Sequence, residues 1–578
     1  MTQTSGSLIT RNYNQFRGVD FSNRKDEVNI YRSPDALNMW KNYRNSNGKC
    51  IETRPDVALL KEYSNPIFGL FFYDSGMLVH SGTNLYDGDT LLYSSMAEHK
   101  SNYFVFNNLI YIMDGTNYLQ FDGTSVTAVT GYVPTTSISR SPLGGGVIYE
   151  DVNFLSDYRV NSFCADGENT EYHLDSQNLD NEAVHVWILN EEGQKEEVTE
   201  GFSTNYTDGI VTFETAPEVP LTDGEDNVFI RYKKTVSGYA NTIKNCTLVE
   251  LFDNRVFVSG NDNYPNKVWH CSLNDPTYFS DLDYYEEGEV DSKVKSMVAG
   301  NNALWVLKSP SKSNTSIFYH NPTIDSTYGK IYPSVHSSIS TGCKTIGLNF
   351  NDTICFYSEN GLEAITSDVT TEQVISHKSS LVDSRLLNET HYDNMILEEW
   401  EGYLLTIIDN KIYLADSRQF AQINDHYEYE WYYFELDQKI TSTRVKNGVL
   451  YLATEETKKV NGVNTTYYRI YTLTNTGDRE VEAYWTTIED EFNYPQYQKI
   501  TNKKGCVVDI SGEKVSIYAK TDNKEFDFIK TFSIKKGYVV PRIKKKKWKS
   551  IQLMFYSTLP FSLYSSTLES YIGSYIKR

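Results

Sequence analysis

Short apolar runs alternate with Asn, Asp and Gly along most of this 578-residue chain. One pattern recurs: a few apolar or aromatic residues, a polar turn, and a second apolar run. Its seven instances have their turns at residues 74–76, 107–108, 253–254, 301–302, 351–352, 401–402 and 447–448. Successive instances lie 33, 146, 48, 50, 50 and 46 residues apart, and removing about 105 residues from the long interval leaves about 41. Periods of roughly 20–50 residues are typical of propellers and solenoids, so seven similar units are predicted.

The residues at these turns indicate the secondary structure. Asn, Asp and Gly tolerate the positive φ that two-residue hairpin turns require, and further turns follow at 359–361 and 409–411. Helical periodicity is confined to short stretches such as 380–387. We therefore predict an all-β fold, a β-propeller of about seven blades, because radial closure protects the edges of so many strands. Six or eight blades, or an array of β-sandwiches, remain open.

The long interval has a strand pattern of its own. Residues 135–240 alternate strands with Asp-Gly, Glu-Glu-Gly and Pro-containing turns, which predicts an inserted β-sandwich. We interpret the glycine-rich run 141–146 as the linker into it. The predicted domains are an N-terminal segment that partly closes the propeller (1–60), the first blades (61–134), the insert (135–240), the remaining blades (241–477) and a C-terminal β-domain (478–578).

Composition narrows the class of protein. The formal net charge is −22, with 39% hydrophobic and 22% charged residues, which excludes a disordered polyelectrolyte and a basic nucleic-acid clamp. The N-terminus lacks the pattern of a secretory signal, and no apolar run reaches the roughly 20 residues of a membrane helix. Seven scattered cysteines contain no CxxC motif, and we interpret them as buried, reduced thiols.

Motifs for catalysis are missing from the sequence. It contains no GxxxxGK[ST], GxGxxG, HExxH or GxSxG pattern. Acidic pairs such as Glu286-Glu287 and Glu398-Glu399 could serve a glycosidase, but we assign them to the solvated surface. The acidic turns 87–89 and 223–227 are interpreted as turn chemistry rather than calcium loops. We predict no enzyme, no catalytic residue, no cofactor and no metal.

One basic segment differs from the acidic remainder. Residues 535–549 carry eight basic and no acidic residues, and the rest of the chain sums to −30. The candidate interface residues are Arg542, Lys544, Lys545, Lys546, Lys547 and Lys549. Three interpretations stay open: a solvated hairpin, docking on an acidic surface of a neighbouring copy or partner, and phosphate binding with Trp548 stacking on bases.

Several short motifs resemble a known family. They include Gly-Val-Asp-Phe at 18–21, Ser-Pro-Asp-Ala-Leu-Asn at 33–38, and Arg54-Pro55, where Asp56 replaces the usual glycine. Others are Gly-Thr-Asn-Leu-Tyr at 82–86, Phe-Asp-Gly at 121–123, Pro-Asn at 265–266 and Asn-Asp-Pro-Thr-Tyr-Phe at 274–279. Over most of residues 18–475 the chain resembles the β-propeller tail hub, nozzle or stabilisation proteins of short-tailed double-stranded DNA bacteriophages.

This resemblance implies a structural virion protein. Several copies, six by resemblance, would form a ring below the portal and adaptor proteins, make part of the DNA ejection conduit and carry tail fibres or spikes. Assembly would take place in the host cytoplasm, and a strongly acidic wall would bind passing DNA weakly. The alternative is a receptor-binding or carbohydrate-binding, even glycan-cleaving, propeller at the tail tip, for which 45 Tyr and eight Trp could supply stacking platforms.

Overall fold

A computed structural model describes residues 6–46, 49–74, 76–313, 316–326, 329–337, 339–366, 374–423, 426–474, 480–522 and 524–575. The chain forms two compact units. Unit 1 comprises Met1–Ser81 with Cys343–Arg578, and unit 2 comprises Gly82–Gly342.

Unit 1 contains three sets of four antiparallel strands. Blades A and C are separate sheets, whereas the strands of blade B continue into a larger sheet. Blade A consists of strands Gly347–Phe350, Thr353–Ser358, Gly361–Thr366 and Val374–His377. Blade B consists of Ile396–Trp400, Tyr403–Ile408, Lys411–Ile423 and His426–Glu435. Blade C consists of Lys439–Lys446, Val449–Val460 and Val463–Thr474, and its fourth strand, Asp56–Tyr63, comes from the start of the chain.

Unit 2 contains three further sheets of the same kind. Blade D consists of Asn102–Phe106, Leu109–Met113, Tyr118–Phe121 and Val126–Ala128. Blade E consists of Leu248–Phe252, Arg255–Ser259, Lys267–His270 and Tyr284–Glu286. Blade F consists of Val294–Gly300, Ala303–Lys308, Ile317–His320 and Ser334–His336, and a hairpin of Thr323–Asp325 and Gly329–Ile331 precedes its last strand.

A seventh set of four strands spans the boundary in the chain. The hairpin of Ile67–Phe72 and Met77–Ser81 belongs to unit 1, and the hairpin of Asn84–Asp87 and Thr90–Tyr93 belongs to unit 2. Such a succession of short four-stranded antiparallel sheets is the β-propeller class of fold. The predicted all-β propeller is therefore confirmed.

Two-residue turns build these blades as predicted. Both central residues have positive φ at Asn107-Asn108, Asp253-Asn254, Asn301-Asn302, Asn351-Asp352 and Asn447-Gly448. The turn Glu401-Gly402 has the same geometry. Positive φ at both positions matches the turn to the right-handed twist of the strands, which explains the choice of Asn, Asp and Gly. The turn predicted at 74–76 includes Ser75, which lies outside the described residues.

Strands from both ends of the chain join one sheet in unit 1. The N-terminal strands are Leu8–Tyr13, Ala36–Leu37, Met39–Trp40 and Ile51–Thr53. The C-terminal strands are Ala483–Thr486, Tyr497–Thr521, Asp527–Val539, Lys546–Trp548, Ile551–Ser557 and Phe561–Tyr575. They pair with one another, and Met39 pairs with Tyr433 of blade B. The C-terminal strands are thus part of the sheet that holds the N-terminal segment.

The strands between residues 135 and 233 form two sheets around a shared apolar core. The first consists of Thr135–Arg140, Val147–Ile148, Tyr158–Phe163, His185–Leu189, Lys195–Val198 and Val228–Lys233. The second consists of Glu171–His173, Phe202–Asn205 and Ile210–Phe213. The linker interpretation of 141–146 was wrong: strands 135–140 and 147–148 pair with each other, so this run is a hairpin loop within the first sheet. The wider domain division stays a prediction.

Helix is scarce in the described residues, and none of the seven cysteines forms a disulfide there. The described helices are Tyr43–Ser46 and Asp383–Leu386, with 3₁₀ turns at Tyr239–Asn241 and Tyr392–Asn394. Six of the seven cysteines are buried, as predicted, and Cys164 is half-buried. Burial raises the pKa of the Cys246 thiol well above its ordinary value.

Gly18, the first residue of the resemblance, lies directly against blade B. Its φ is +80°, and a Cβ there would lie 2.3 Å from the carbonyl oxygen of Trp431. Asp20 N then donates to Ser33 O, and Val19 N donates to the same Trp431 carbonyl. Only glycine permits both the positive φ and this close approach.

We expect Gly18→Ala to destabilise unit 1 by about 1–3 kcal/mol more than Gly462→Ala, because overpacking adds to the backbone strain. Gly462 is the matched control: its φ is +85°, and a Cβ there would meet nothing within 4 Å. Its substitution should cost only about 1 kcal/mol. Urea unfolding curves measure both losses, and equal losses would contradict the close approach at Gly18.

His377 ends the last strand of blade A and joins it to the short helix that follows. Its Nε2 lies 2.6 Å from Asp383 Oδ2, and its Nδ1 lies 3.4 Å from Glu363 Oε1. The hydrogen bond to Asp383, and then the one to Glu363, raise the pKa of His377 to about 9, although burial lowers it.

His377→Gln should destabilise the protein at pH 6 and have little effect near pH 10. A histidine whose pKa rises on folding stabilises the folded state fully below its unfolded value of about 6.5. That contribution is lost as the pH rises through 9, and solvent screening limits it to about 1 kcal/mol. Thermal midpoints of both proteins across this pH range provide the measurement. His391→Gln, which removes a histidine paired with Asp409, is the control. A loss for His377→Gln that does not vary with pH would disprove the ion-pair role.

Candidate assembly interface

The basic segment alternates between core and solvent. Pro541, Ile543 and Trp548 are buried. Lys545 is half-buried, and the exposed candidates are Arg542, Lys544, Lys546, Lys547 and Lys549. Apolar side chains therefore anchor the segment while its cations project into solvent.

The backbone of this segment is fixed by the long strand Tyr497–Thr521. Residues 546–548 pair with Lys499 and Ile500 of that strand. The Thr501 hydroxyl donates to the carbonyl oxygen of Ile543 at 2.9 Å and accepts from Lys545 N at 2.9 Å. These bonds hold the exposed cations on a defined backbone rather than on a free loop.

A buried lysine supports the same region from beneath. Lys499 Nζ donates to the carbonyl oxygens of Tyr494, Tyr497 and Lys549 at 2.8, 3.1 and 2.7 Å. It also lies 5.4 Å from the ring centroid of Trp548. Burial lowers the pKa of Lys499, and the three carbonyl oxygens compensate for the water that its ammonium has lost. The sequence pattern did not single out this residue.

The six candidates divide into paired and unpaired cations. Lys545 Nζ forms an ion pair with Asp527, and Lys549 Nζ lies 2.9 Å from Glu491 Oε1. The hydrogen bond to Glu491 raises the pKa of Lys549. Among the residues that the structure describes, the other four have no ion-pair partner in their own chain: Arg542, Lys544, Lys546 and Lys547. These four are free to pair with another molecule.

The cationic character extends beyond the predicted segment. Residues 497–575, which we name the C-terminal layer, contain 15 basic and six acidic residues. Exposed cations outside the segment include Lys503, Lys504 and Lys530. They are dispersed along strands, so no run in the sequence reveals them, and these strands belong to one sheet.

Trp548 does not support the nucleic-acid interpretation. Its side chain is 1% exposed and packs edge-on against Phe492, with ring centroids 5.7 Å apart. Stacking on a base requires a free aromatic face, so Trp548 cannot provide the stacking platform proposed from the sequence.

A second candidate surface, aromatic rather than basic, lies in unit 2. Tyr132 and Tyr278 have ring centroids 5.2 Å apart, and Tyr149 beside them is 63% exposed. The Tyr132 hydroxyl donates to the carboxylate of Glu150 at 3.0 Å. Burial, followed by this hydrogen bond, raises the pKa of Tyr132 to about 12. The group combines aromatic faces with hydrogen-bonding oxygens.

Among the residues with described positions, no group of three or more His, Cys, Asp or Glu side chains is arranged to hold a metal ion. In the same residues, no helix has the length and apolar character needed to cross a membrane.

Comparison with known proteins gives little beyond this geometry. No protein-family model and no curated protein sequence matches the chain. One similar solved structure is an exo-β-1,3-galactanase from Phanerochaete chrysosporium bound to β-1,3-galactotriose, with 8% identity over 56% of this chain and 94% of that one, at a TM-score of 0.22. An ancestral GH74 enzyme has 9% sequence identity over 75% of this chain and 61% of that one, at a TM-score of 0.24. The CNH domain of AfRom2 has 12% sequence identity over 56% of this chain and 96% of that one, at a TM-score of 0.23. Likenesses this weak carry no conclusion about function.

Proposed function

We propose that this chain is a structural virion protein of a short-tailed double-stranded DNA bacteriophage. Copies of it form a ring in the tail, below the portal and adaptor proteins. The ring forms part of the DNA ejection conduit and is a platform for tail fibres or spikes. Assembly takes place in the host cytoplasm, and the role requires neither catalysis nor a cofactor.

The observation that carries this proposal is the separation of charge. The C-terminal layer is basic, whereas the chain as a whole has a net charge of −22. Within the part of the chain that the structure describes, four exposed cations of the basic segment have no ion-pair partner in their own chain. A surface of one sign on a molecule of the other favours association between copies and steers their encounter.

The residues that carry the family resemblance support a structural role in an assembly. Ser33, Asn38 and Arg54 are buried in unit 1. Ser33 Oγ contacts Thr486 Oγ1 at 3.2 Å, and Asn38 Nδ2 donates to the carbonyl oxygen of Glu482 at 2.8 Å. These motif residues connect the N-terminal segment to the C-terminal strands. The resemblance therefore involves residues that hold the fold together. Structural proteins of one family would share residues of this kind.

Replacing Lys544, Lys545, Lys546 and Lys547 by Ser should slow self-association of the purified protein and reduce its dependence on ionic strength. Exposed charge contacts act chiefly on the association rate, and each contributes at most about 1 kcal/mol, so single substitutions should show graded effects. Light scattering after dilution from high salt measures the rate.

The control removes four exposed lysines outside the C-terminal layer: Lys293, Lys312, Lys439 and Lys459. It changes the net charge equally and should associate at the wild-type rate. Wild-type kinetics for the Lys544–Lys547 variant in low salt would refute the role of these cations in assembly.

A second candidate function rests on the aromatic group of unit 2. Exposed tyrosine faces beside a carboxylate suit a glycan, which stacks its apolar face and donates its hydroxyls. In this case the protein would be a carbohydrate-binding propeller at the tail tip.

This candidate predicts that Tyr132→Ala with Tyr149→Ala abolishes retention on immobilised host-surface polysaccharide. The control pair, Tyr494→Ala with Tyr538→Ala, removes exposed tyrosines from unit 1 and should retain binding. Equal retention of the wild type and both variants would exclude the Tyr132 group. Release of reducing sugar by the wild type would replace a binding role with an enzymatic one.

A further inference from the structure

The inserted β-sandwich is the most acidic part of the chain. Residues 135–240 contain 20 acidic and six basic residues. Five of its fifteen exposed acids lie on or directly after the hairpin formed by strands His185–Leu189 and Lys195–Val198. We name residues 185–200 the acidic hairpin, and its exposed carboxylates are Glu191, Glu192, Glu196, Glu197 and Glu200.

Most of these carboxylates are available to a partner. The hairpin contains one lysine or arginine, Lys195. Its Nζ lies 3.4 Å from the ring centroid of Phe229, so its charge faces an aromatic ring. Glu197 contacts His185, and Glu196 accepts a hydrogen bond from Asn190. Across the described part of the chain, the remaining three have no partner: Glu191, Glu192 and Glu200.

The strand Lys195–Val198 is also an edge of its six-stranded sheet. Charged side chains on an edge strand prevent uncontrolled strand pairing, and this protection alone would account for a few charges. It does not account for the cations of the basic segment that have no ion-pair partner among the described residues, since protecting an edge requires no such set.

We infer that the acidic hairpin of one copy docks on residues 542–549 of the basic segment of the neighbouring copy. The two surfaces carry opposite charge, both are exposed, and each keeps charged groups that have no partner within the described part of its own chain. Every copy carries one of each surface, because both surfaces belong to the same polypeptide. A contact between two different surfaces of identical chains is heterologous, and repeated contacts of this kind close into a ring when the rotation permits.

This inference rests on the proposed multi-copy assembly and adds to it the pair of surfaces that orients neighbouring copies. A second copy is favoured over nucleic acid because the chain supplies the complementary acidic surface, whereas the aromatic face of Trp548 is buried. Binding of DNA to the basic segment is an outcome of the test below.

Two charge-reversed proteins test the pairing. The first carries Glu191→Lys, Glu192→Lys and Glu200→Lys, and the second carries Lys544→Glu, Lys546→Glu and Lys547→Glu. The control carries Glu218→Lys, Asp223→Lys and Glu225→Lys, which reverse three other exposed acids of the insert. Circular dichroism first establishes that each variant folds, and sedimentation velocity at low salt then measures association.

Each reversed protein alone should associate about tenfold more weakly than the wild type, because like charges now face each other. An equimolar mixture should recover association, since the reversed hairpin of one protein meets the reversed segment of the other. A single chain with all six substitutions should recover it as well. The control should associate like the wild type.

The outcomes separate the two claims. If the wild type stays monomeric at every concentration, the proposed multi-copy function fails, and this inference fails with it. If the wild type associates and both reversed proteins associate equally well, or if neither the mixture nor the six-substitution chain recovers, only the pairing is wrong. If the second variant associates normally but no longer binds a double-stranded DNA fragment, the basic segment contacts nucleic acid and the inference is overturned.

Discussion

A buried polar junction at Asn38 and Arg54 is the constraint on which unit 1 depends. Arg54 Nε donates to Asn38 Oδ1 at 2.8 Å, and the same oxygen accepts from Glu435 N at 2.9 Å. Asn38 Nδ2 donates to the carbonyl oxygen of Glu482, and Arg54 Nη1 donates to that of Pro55. The N-terminal segment, blade B and the C-terminal strands therefore meet at one amide. Removing a partner would leave buried polar groups unsatisfied, which costs about 1–3 kcal/mol for each group.

This junction gives the N-terminal motifs a physical meaning. Burial lowers the pKa of Arg54 to about 10, so the guanidinium remains charged at neutral pH and its donors must all be satisfied. Asn38 has a φ of +56°, a backbone conformation that Asn adopts more readily than most residues. Gly18 provides a second contact of this kind against Trp431. The motifs thus hold distant parts of the chain together, and the strand Ala483–Thr486 that Ser33 contacts belongs to the same sheet as the strand Lys546–Trp548 of the basic segment.

Charge is distributed in a way that folding alone does not require. The insert and the C-terminal layer have opposite net charges, and each exposes charged groups that have no partner among the described residues. High net charge keeps a protein soluble and disfavours non-specific association, whereas a complementary pair of local surfaces permits one specific contact. Glu196 and Glu197 on the edge strand of the insert have the same two effects. Their charges prevent another strand from pairing there, and their carboxylates remain exposed for a specific contact.

The sequence by itself determined the class of fold. Turns such as Asn301-Asn302 and Asn351-Asp352 are local, since two residues with positive φ define a hairpin whatever surrounds them, and their spacing gave the number of units. It also identified the basic segment, because that run is contiguous. Only the tertiary structure decided that Lys545 is paired and Lys546 is not, that Trp548 is buried, and that residues 141–146 form a hairpin loop. These properties depend on partners far away in the chain, such as Asp527 and Phe492, and strand pairing across long sequence separations leaves no local pattern from which they can be inferred.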